Sequence, residues 1–199
     1  MLKIGLTGSI ATGKSTVLNA FSELGVPTFS SDEAVHALYS CEAVPLVEAA
    51  FPGVTTHEKI DREALSKILI AAPARIKELE AIVHPLVRDK IAWFLGKAEK
   101  SGAALAIVDI PLLFETGFDY GLDAIAVTVC DPAIQRERAL RRPGMTVEKF
   151  ETILARQMPQ DEKRKRATYI FDTSGKVEET RQRVKALVEA IKASNTGKT

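Results

Sequence analysis

The sequence predicts a three-layer α/β fold in which helices flank a parallel sheet of about five strands. Short aliphatic runs alternate with longer segments of helical apolar spacing, which is the pattern of consecutive βαβ units. The runs Ala104–Ile110 and Ala124–Cys130 are almost continuously aliphatic, as is typical of strands buried on both faces. A glycine-containing turn joins the first strand to the first helix. Ligands bind at the carboxyl ends of the strands in such sheets, so site residues are expected there.

Strand, glycine turn and helix open the chain, and a second strand and helix follow. The four segments are, in order, the strand Leu2–Leu6, the helix Ser15–Leu24, the strand Val26–Phe29 and the helix Glu33–Tyr39. Gly25 ends the first helix, and the cap-type residues Ser30, Ser31 and Asp32 precede the second. Asp32 is therefore predicted at the carboxyl end of a strand.

The middle of the chain, from Val44 to about Lys100, shows no strand pattern. Its helical segments are interrupted at Pro52-Gly53, at Pro73 and at His84-Pro85, and Asp61 has the position of a helix N-cap. We therefore predict an all-helical insertion between two strands.

The last third of the chain follows the two aliphatic strands. A charged helical hairpin is predicted from Ala133 to Arg166, with a break at Pro143-Gly144. The remaining segments are a fifth strand at Tyr169–Phe171, a closing helix at Lys176–Lys192 and a polar tail over residues 194–199.

The predicted elements form one globular domain with three parts, because 199 residues supply one sizeable core and are few for two. The core comprises residues 1–32, 101–133 and 167–194. A helical subdomain occupies residues 33–100, and the helical segment 134–166 lies between the last two strands.

The overall charge and the cysteines exclude several classes of protein. With 27 basic and 26 acidic residues, the formal net charge of +1 gives no general attraction to nucleic acid or to an anionic membrane. Cys41 and Cys130 lie far apart without metal-site spacing, as expected for reduced thiols in the cytoplasm. The N-terminus has no secretory pattern, and no apolar run has the length of a membrane span.

The turn after the first strand matches the phosphate-binding pattern GxxxxGK[ST] and defines the P-loop of this chain, Gly8 to Ser15. Glycines let backbone N–H groups converge on an anion at a helix N-terminus. Lys14 is expected to reach the β- and γ-phosphates of ATP, and Ser15 to offer its hydroxyl to Mg²⁺. The predicted nucleotide-binding residues are Gly8, Ala11, Thr12, Gly13, Lys14, Ser15 and Thr16. The fold is therefore predicted to be that of the P-loop NTPases.

Among P-loop proteins, a small-molecule kinase fits the sequence best. The Asn-Lys-x-Asp sequence with which small GTPases bind guanine is absent, and the chain leaves little room for a coupled motor domain. Residues 136–166 carry ten basic against five acidic residues, as expected for a lid over a triphosphate, although solvated helix faces are also charged. Arg138 and Arg142 stand four residues apart, so a helix would present both on one face toward a transferring phosphate.

Six segments, taken together, resemble the dephospho-CoA kinases over essentially the whole chain, to about Gly175. They are Ile4-Gly5-Leu6-Thr7-Gly8 with the P-loop, Ser31-Asp32-x-x-x-His36, His84-Pro85-Leu86-Val87, Asp109-Ile110-Pro111-Leu112-Leu113-Phe114-Glu115, Arg138-x-x-x-Arg142, and Gln157-Met158-Pro159 with Lys163. The resemblance implies transfer of the ATP γ-phosphate to the ribose 3′-hydroxyl of dephospho-CoA, the last step of coenzyme A synthesis. It makes residues 33–100 the acceptor-binding subdomain and residues 134–166 the lid.

Two aspartates have candidate roles, and each role has an alternative: the resemblance implies the role of Asp32, and the position in the chain indicates that of Asp109. Asp32 aligns with the family's catalytic base, whereas an aspartate at this position is otherwise most often a helix N-cap. Asp109 follows an aliphatic strand, where it could hold Mg²⁺ together with Ser15 or could cap the following loop. The sequence departs from the family pattern at His36, where an arginine is frequent, and at Thr173-Ser174-Gly175, where the family has Asn-x-Gly; the resemblance therefore implies no adenine contacts near Thr173.

Two other functions remain open at this point. A nucleoside-monophosphate kinase has the same architecture and would phosphorylate a different acceptor. A nucleotide-binding switch would bind and slowly hydrolyse a triphosphate without an acceptor.

Overall fold

The computed structural model describes residues 1–196 and confirms the predicted α/β class. The strands are β1 (Leu2–Gly8), β2 (Thr28–Ser30), β3 (Thr55–Thr56), β4 (Lys59–Ile60), β5 (Leu105–Asp109), β6 (Ala124–Val129) and β7 (Tyr169–Asp172). The α-helices are α1 (Lys14–Glu23), α2 (Ser31–Leu38), α3 (Val44–Ala50), α4 (Arg62–Ala71), α5 (Ile76–Lys100), α6 (Leu113–Thr116), α7 (Pro132–Leu140), α8 (Val147–Ala155), α9 (Gln160–Lys165) and α10 (Val177–Thr196). A short 3-10 turn, Pro73–Arg75, precedes α5.

The five predicted strands form one parallel sheet in the order β2-β5-β1-β6-β7. The central strand β1 is in register with both neighbours, since Leu6 pairs with Asp109 of β5 and with Ala126 of β6. Val129 of β6 pairs in turn with Asp172 of β7. The carboxyl ends of these four strands therefore lie along one edge of the sheet, and the P-loop leaves β1 at that edge.

Helices α1 and α10 share a hydrophobic core with the strands. Phe21 of α1 is fully buried and meets Phe171 of β7 edge to face, with ring centroids 5.9 Å apart. Val184 and Val188 of α10 belong to the same buried cluster. Because burial of such a side chain contributes about 1.5–3 kcal/mol, this cluster holds the helix that follows the P-loop firmly against the sheet.

The chain divides into two compact units. The first unit comprises Met1–Phe29 and the chain from Leu95 onward, and it contains the P-loop and the segment 134–166. The second unit is Ser30–Phe94 and includes Asp32. Helix α5 passes from the second unit into the first.

The insertion is not all-helical, so that prediction is wrong in one detail. Strands β3 and β4 form an antiparallel hairpin in which Thr55 pairs with Ile60. His57 and Glu58, the two residues of its turn, have positive φ angles of 49° and 60°. Turns of this kind usually contain Asn-Gly or Asp-Gly, and the pairing strands are only two residues long, so no local signal marked the hairpin.

The predicted interruption at His84-Pro85 is also wrong. Both residues lie inside α5, which runs unbroken for 25 residues. Val83, Val87 and Ile91 are buried at successive helical turns around the proline. Packing of this stripe outweighs the single backbone hydrogen bond that a proline removes, and tertiary contacts commonly override such local signals.

The predicted helical hairpin over residues 133–166 consists of three helices, α7, α8 and α9. Helix α7 ends at Leu140, and Arg142 lies in the turn after it. Arg138 and Arg142 therefore do not share a helical face, because Pro143-Gly144 ends the helix earlier than predicted. At the other end of the chain, α10 extends through the first part of the predicted polar tail, of which residues 197–199 lie outside the described residues.

Candidate active site

The P-loop has the backbone that its glycines predict. Gly13 is the N-cap of α1 with φ of 80°, a left-handed conformation that glycine adopts without strain. A β-carbon on Gly8 would lie 2.0 Å from Thr128 Oγ1, so no larger residue fits there. The free N-terminus of α1 and the close approach of the loop to β6 together form a cradle for an anion.

Two residues of the P-loop are unusual. Ala11 has φ of 60°, a conformation that costs an L-residue about 1–2 kcal/mol. The hydroxyl of Ser9 is buried and has no hydrogen-bond partner among the described residues. Strain and an unsatisfied polar group of this kind are typical of ligand-binding loops.

Lys14 and Asp109 form an ion pair at the carboxyl edge of the sheet. Lys14 is the first residue of α1, and Asp109 is the last residue of β5. Their side chains are 15% and 5% exposed. The structure thus brings together the predicted phosphate-binding lysine and the predicted metal-binding aspartate. The ammonium group of Lys14 is thus one partner of the Asp109 carboxylate, and the role of Asp109 as a metal ligand or a loop cap stays a prediction.

Arg138 reaches the P-loop through Thr173. Its guanidinium donates to Thr173 Oγ1 at 3.1 Å and to the Thr173 carbonyl at 2.8 Å, and the Thr173 hydroxyl donates to the carbonyl of Thr12 at 2.9 Å. Thr173 is 4% exposed and would lie 2.9 Å from a β-carbon on Gly13. Thr173 therefore sets the position of Arg138 relative to the P-loop, whereas Arg142 is exposed in its turn.

Asp32 lies in the second unit, in the first turn of α2. It is not the N-cap of this helix, since the Ser30 hydroxyl accepts the Glu33 N–H at 3.3 Å. Asp32 is exposed and lines an open pocket of about 500 Å³ within the unit, together with Glu33, Val35, His36, Tyr39 and Arg62. Arg62 Nη1 and His36 Nδ1 lie 3.4 Å apart, and both side chains line the same pocket as Asp32. Burial raises the pKa of Tyr39, and Arg62 partly opposes that rise.

The residues of the P-loop fit a nucleoside triphosphate with Mg²⁺. The glycine cradle, the buried Ser9 hydroxyl and Lys14 suit phosphate oxygens, and Ser15 is exposed at the start of α1. No group of three or more potential metal-ligating side chains occurs among residues 1–196.

Comparison with known proteins identifies the family. The sequence model of the dephospho-CoA kinases matches residues 2–179. The chain belongs to the dephospho-CoA kinase family. It is therefore a kinase, an ATP-dependent phosphotransferase.

Individual relatives agree with the family assignment. The dephospho-CoA kinase of Rhizobium meliloti is 55% identical over 97% of this chain and 100% of its own. The dephospho-CoA kinase of Rhodopseudomonas palustris is 51% identical over 96% of both chains. The solved structure of dephospho-CoA kinase from Campylobacter jejuni has a TM-score of 0.75 and 28% identity, covering 97% of this chain and 98% of that one.

The structure gives a physical reason for the family segment Gln157-Met158-Pro159 with Lys163. These residues lie in and after the turn between α8 and α9. The Met158 N–H donates to Glu115 Oε1 at 2.8 Å, and Lys163 Nζ lies 2.9 Å from the same oxygen. Gln157 accepts a hydrogen bond from the Ile10 N–H of the P-loop at 2.8 Å. The turn is thus fixed both to α6 and to the P-loop of this dephospho-CoA kinase family member.

Glu115 and Lys163 form a buried ion pair. The Lys163 side chain is 0% exposed and that of Glu115 is 17% exposed. Burial opposes ionisation of Glu115, but the Met158 N–H and the Lys163 ammonium outweigh it and lower the pKa of Glu115 below its ordinary value. Glu115 therefore has a structural role, in which it binds Lys163 and the Met158 N–H.

Removal of Lys163 is expected to destabilise the protein strongly. Lys163→Met should lower the free energy of unfolding at pH 7 by about 3–5 kcal/mol, because it leaves a largely buried carboxylate without its cation. Urea denaturation followed by circular dichroism would measure this loss. The double variant Glu115→Gln/Lys163→Met should recover most of it, and a double variant as unstable as Lys163→Met would contradict the explanation.

The same pair predicts a pH dependence. A carboxylate whose folded pKa is lowered contributes stability that is fully present above its ordinary value of 4.5 and is lost as the pH falls through the folded pKa. The difference in stability between the unaltered protein and Lys163→Met should therefore shrink in acid.

Several contacts with the P-loop could not be predicted from the sequence. Thr173 and Thr128 touch the P-loop from the ends of β7 and β6, and Gln135 donates to the Ile10 carbonyl at 2.7 Å from α7. They lie more than 100 residues from the P-loop in sequence, so only the fold brings them there. A family motif marked Gln157, although nothing in that motif indicated its partner. Among the described helices, none has the length and apolarity required to cross a membrane.

Proposed function

We propose that this chain transfers the γ-phosphate of ATP to the 3′-hydroxyl of dephospho-CoA, which yields coenzyme A. The observation that carries the proposal is the paired Lys14 and Asp109 beside a glycine cradle, in a chain of the dephospho-CoA kinase family. Phosphoryl transfer needs a positioned triphosphate, neutralisation of its charge and an aligned hydroxyl. Residues of this chain are available for each requirement.

The triphosphate is held by the P-loop and stabilised by three cations. Backbone N–H groups from Ala11 to Thr16 face the phosphates at the start of α1, as in other P-loops. Lys14 exchanges its contact with Asp109 for the β- and γ-phosphates. Arg138, held by Thr173, and Arg142, from its exposed turn, supply positive charge to the transferring group.

Ser15 and Asp109 are the residues that would hold Mg²⁺. Bound there, the metal would supply charge neutralisation of the β- and γ-phosphate oxygens. Asp109 becomes available for this role when Lys14 turns to the phosphates. In the absence of nucleotide, the ion pair satisfies both groups, which are otherwise costly to bury.

Asp32 is the base that accepts the proton of the 3′-hydroxyl. Ser30, and not Asp32, is the N-cap of α2, and the Asp32 carboxylate lines the pocket in the second unit. The transition state of phosphoryl transfer is loose, so a proton acceptor late in the reaction is sufficient. His36 lies four residues after Asp32, about 6 Å along the axis of α2. The His36 and Arg62 groups thus suit the diphosphate attached to the same ribose.

The three predicted parts of the chain have corresponding roles in this proposal. Residues 33–100 bind the acceptor, and residues 134–166 act as a lid that excludes water from the reacting phosphate. The remaining residues form the nucleotide-binding core. The cytoplasmic location stays a prediction.

The proposal is tested by the identity of the phosphorylated product. The protein is incubated with Mg-ATP and, separately, with dephospho-CoA, adenosine, AMP and CMP, and each acceptor is examined by mass spectrometry for one added phosphate. We expect coenzyme A from dephospho-CoA. Adenosine has the same 3′-hydroxyl without a diphosphate and should react much more slowly, because it cannot use the His36 and Arg62 groups.

The other outcomes distinguish the two alternative functions. Phosphorylation of AMP or CMP in preference to dephospho-CoA would indicate a nucleoside-monophosphate kinase. Release of inorganic phosphate without any phosphorylated acceptor would indicate a nucleotide-binding switch.

A further inference from the structure

The backbone of the P-loop is held by glutamine side chains from the segment 134–166. The Ile10 N–H donates to Gln157 Oε1 at 2.8 Å, and the Ile10 carbonyl accepts from Gln135 Nε2 at 2.7 Å. Both polar groups of one P-loop residue are therefore bound by two side chains more than 100 positions away in sequence. A backbone N–H can only donate and a carbonyl can only accept, so these bonds also fix the orientation of both amides.

The two glutamines are themselves held in place. Gln135 is 3% exposed, and its amide oxygen accepts from Gln160 Nε2 at 2.9 Å. The Gln160 oxygen accepts from the N–H of Cys130, just past the end of β6, at 2.9 Å. Gln157 precedes Met158, whose N–H is bound to Glu115. Through Gln160 and Gln135, these hydrogen bonds connect the edge of the sheet to the backbone carbonyl of Ile10.

The residue next to Ile10 shows why such support matters. Ala11 has φ of 60°, and an alanine that is free to relax leaves this left-handed region. Its methyl group packs in a buried cluster with Ala139 of α7 and Phe150 of α8. The strained conformation is thus maintained by hydrogen bonds on Ile10 and by packing on Ala11, and both come from the segment 134–166.

We propose that Gln157 and Gln135 are positioning residues for ATP, which hold Ala11 in its left-handed conformation and so preorganise the P-loop for phosphates. Neither side chain contacts the nucleotide in this proposal. ATP binding is favoured because no free energy is spent on ordering the P-loop or changing its backbone conformation when the phosphates bind. The inference rests on the ATP-binding part of the proposed function and does not depend on the acceptor.

The test is a double-mutant cycle between Gln157 and Ala11, read by the equilibrium Kd for Mg-ATP without acceptor. Gln157→Met removes the acceptor of the Ile10 N–H and should raise this Kd about five- to tenfold, since net hydrogen-bond contributions are of that order. In the Ala11→Gly background the same change should raise the Kd less than about threefold, because glycine adopts φ near 60° without support. Equal losses in the two backgrounds would overturn the proposal.

Hydrogen exchange gives an independent measurement. Gln157→Met should speed exchange of the Ile10 amide at least tenfold in the nucleotide-free protein, whereas unchanged exchange at Ile10 would contradict the proposed bond. Gln182→Met, at an exposed position of α10, is the matched control and should alter neither exchange at Ile10 nor the Kd. A protein that binds ATP and leaves dephospho-CoA unphosphorylated would refute the proposed acceptor, and these measurements would still test the positioning role.

Thermal unfolding would show whether Gln157→Met still folds. If it does not, a more conservative variant tests the same hydrogen bond. Gln157→Glu keeps an oxygen at the same position and should recover at least half of the lost affinity on a logarithmic scale. In contrast, Gln135→Glu replaces the donor to the Ile10 carbonyl with an acceptor and should weaken ATP binding at least as much as Gln157→Met. Equal losses in the two glutamate variants would overturn the assigned donor and acceptor roles.

Discussion

Lys14→Met is expected to lower kcat/KM for ATP by about a thousandfold or more. The side chain keeps most of its aliphatic length but loses the ammonium group, and with it the charge that stabilises the γ-phosphate during transfer. Removal of a single group of this kind from a preorganised site typically costs 10²–10³ in rate, and here the lysine also contributes to ATP binding. Steady-state kinetics with dephospho-CoA as acceptor, at varied ATP, would measure the loss.

The ion pair with Asp109 makes a structural control necessary. Lys14→Met removes the cation from a 5% exposed carboxylate, so the nucleotide-free protein should also be destabilised. Adding Asp109→Asn should restore stability without restoring activity. Lys185→Met, at an exposed position of α10, should leave turnover within about twofold of the unaltered protein. Full turnover by Lys14→Met would refute the assignment of the P-loop.

The parts of the fold that the sequence predicts are those with a local cause. Aliphatic runs such as Ala124–Cys130 indicate buried strands, and glycine, lysine and serine at fixed spacing define the P-loop, because each requirement acts over a few residues. The β3–β4 hairpin was missed since its turn lacks glycine. The continuity of α5 through Pro85 was missed since tertiary packing, rather than local propensity, decides it.

The candidate site likewise has parts that the sequence predicts and parts that depend on tertiary contacts. Lys14 and Asp109 could be placed together because the carboxyl ends of parallel strands share one edge. Thr173, Gln135 and Gln157 support the P-loop from distant positions, and no spacing rule connects a glutamine amide with a particular backbone group. Family resemblance marked Gln157 and Lys163 without explaining them. The contacts supply the reason: one holds the P-loop, and the other neutralises Glu115.

Asp32→Asn is expected to lower kcat by 10²–10⁴, the usual contribution of a general base, while the Kd for ATP stays within about threefold. The amide keeps the size and most of the hydrogen-bonding geometry of the carboxylate but cannot accept the proton of the 3′-hydroxyl. Helix α2 should tolerate the change, because Ser30 supplies its N-cap and the exposed carboxylate adds only about 0.3–1 kcal/mol through the helix dipole. Single-turnover measurements with bound ATP and saturating dephospho-CoA would isolate the transfer step from product release.

A second carboxylate in the same unit provides a control that distinguishes loss of the general base from loss of one negative charge. Glu63 is exposed at the start of α4 and pairs with Lys67 at 3.3 Å. Glu63→Gln removes the same charge as Asp32→Asn from the Ser30–Phe94 unit and should leave the transfer rate within about twofold. A loss of less than tenfold in Asp32→Asn would instead mean that the carboxylate orients the acceptor. The proton of the 3′-hydroxyl would then leave with solvent or with the transferred phosphate, which a loose transition state permits.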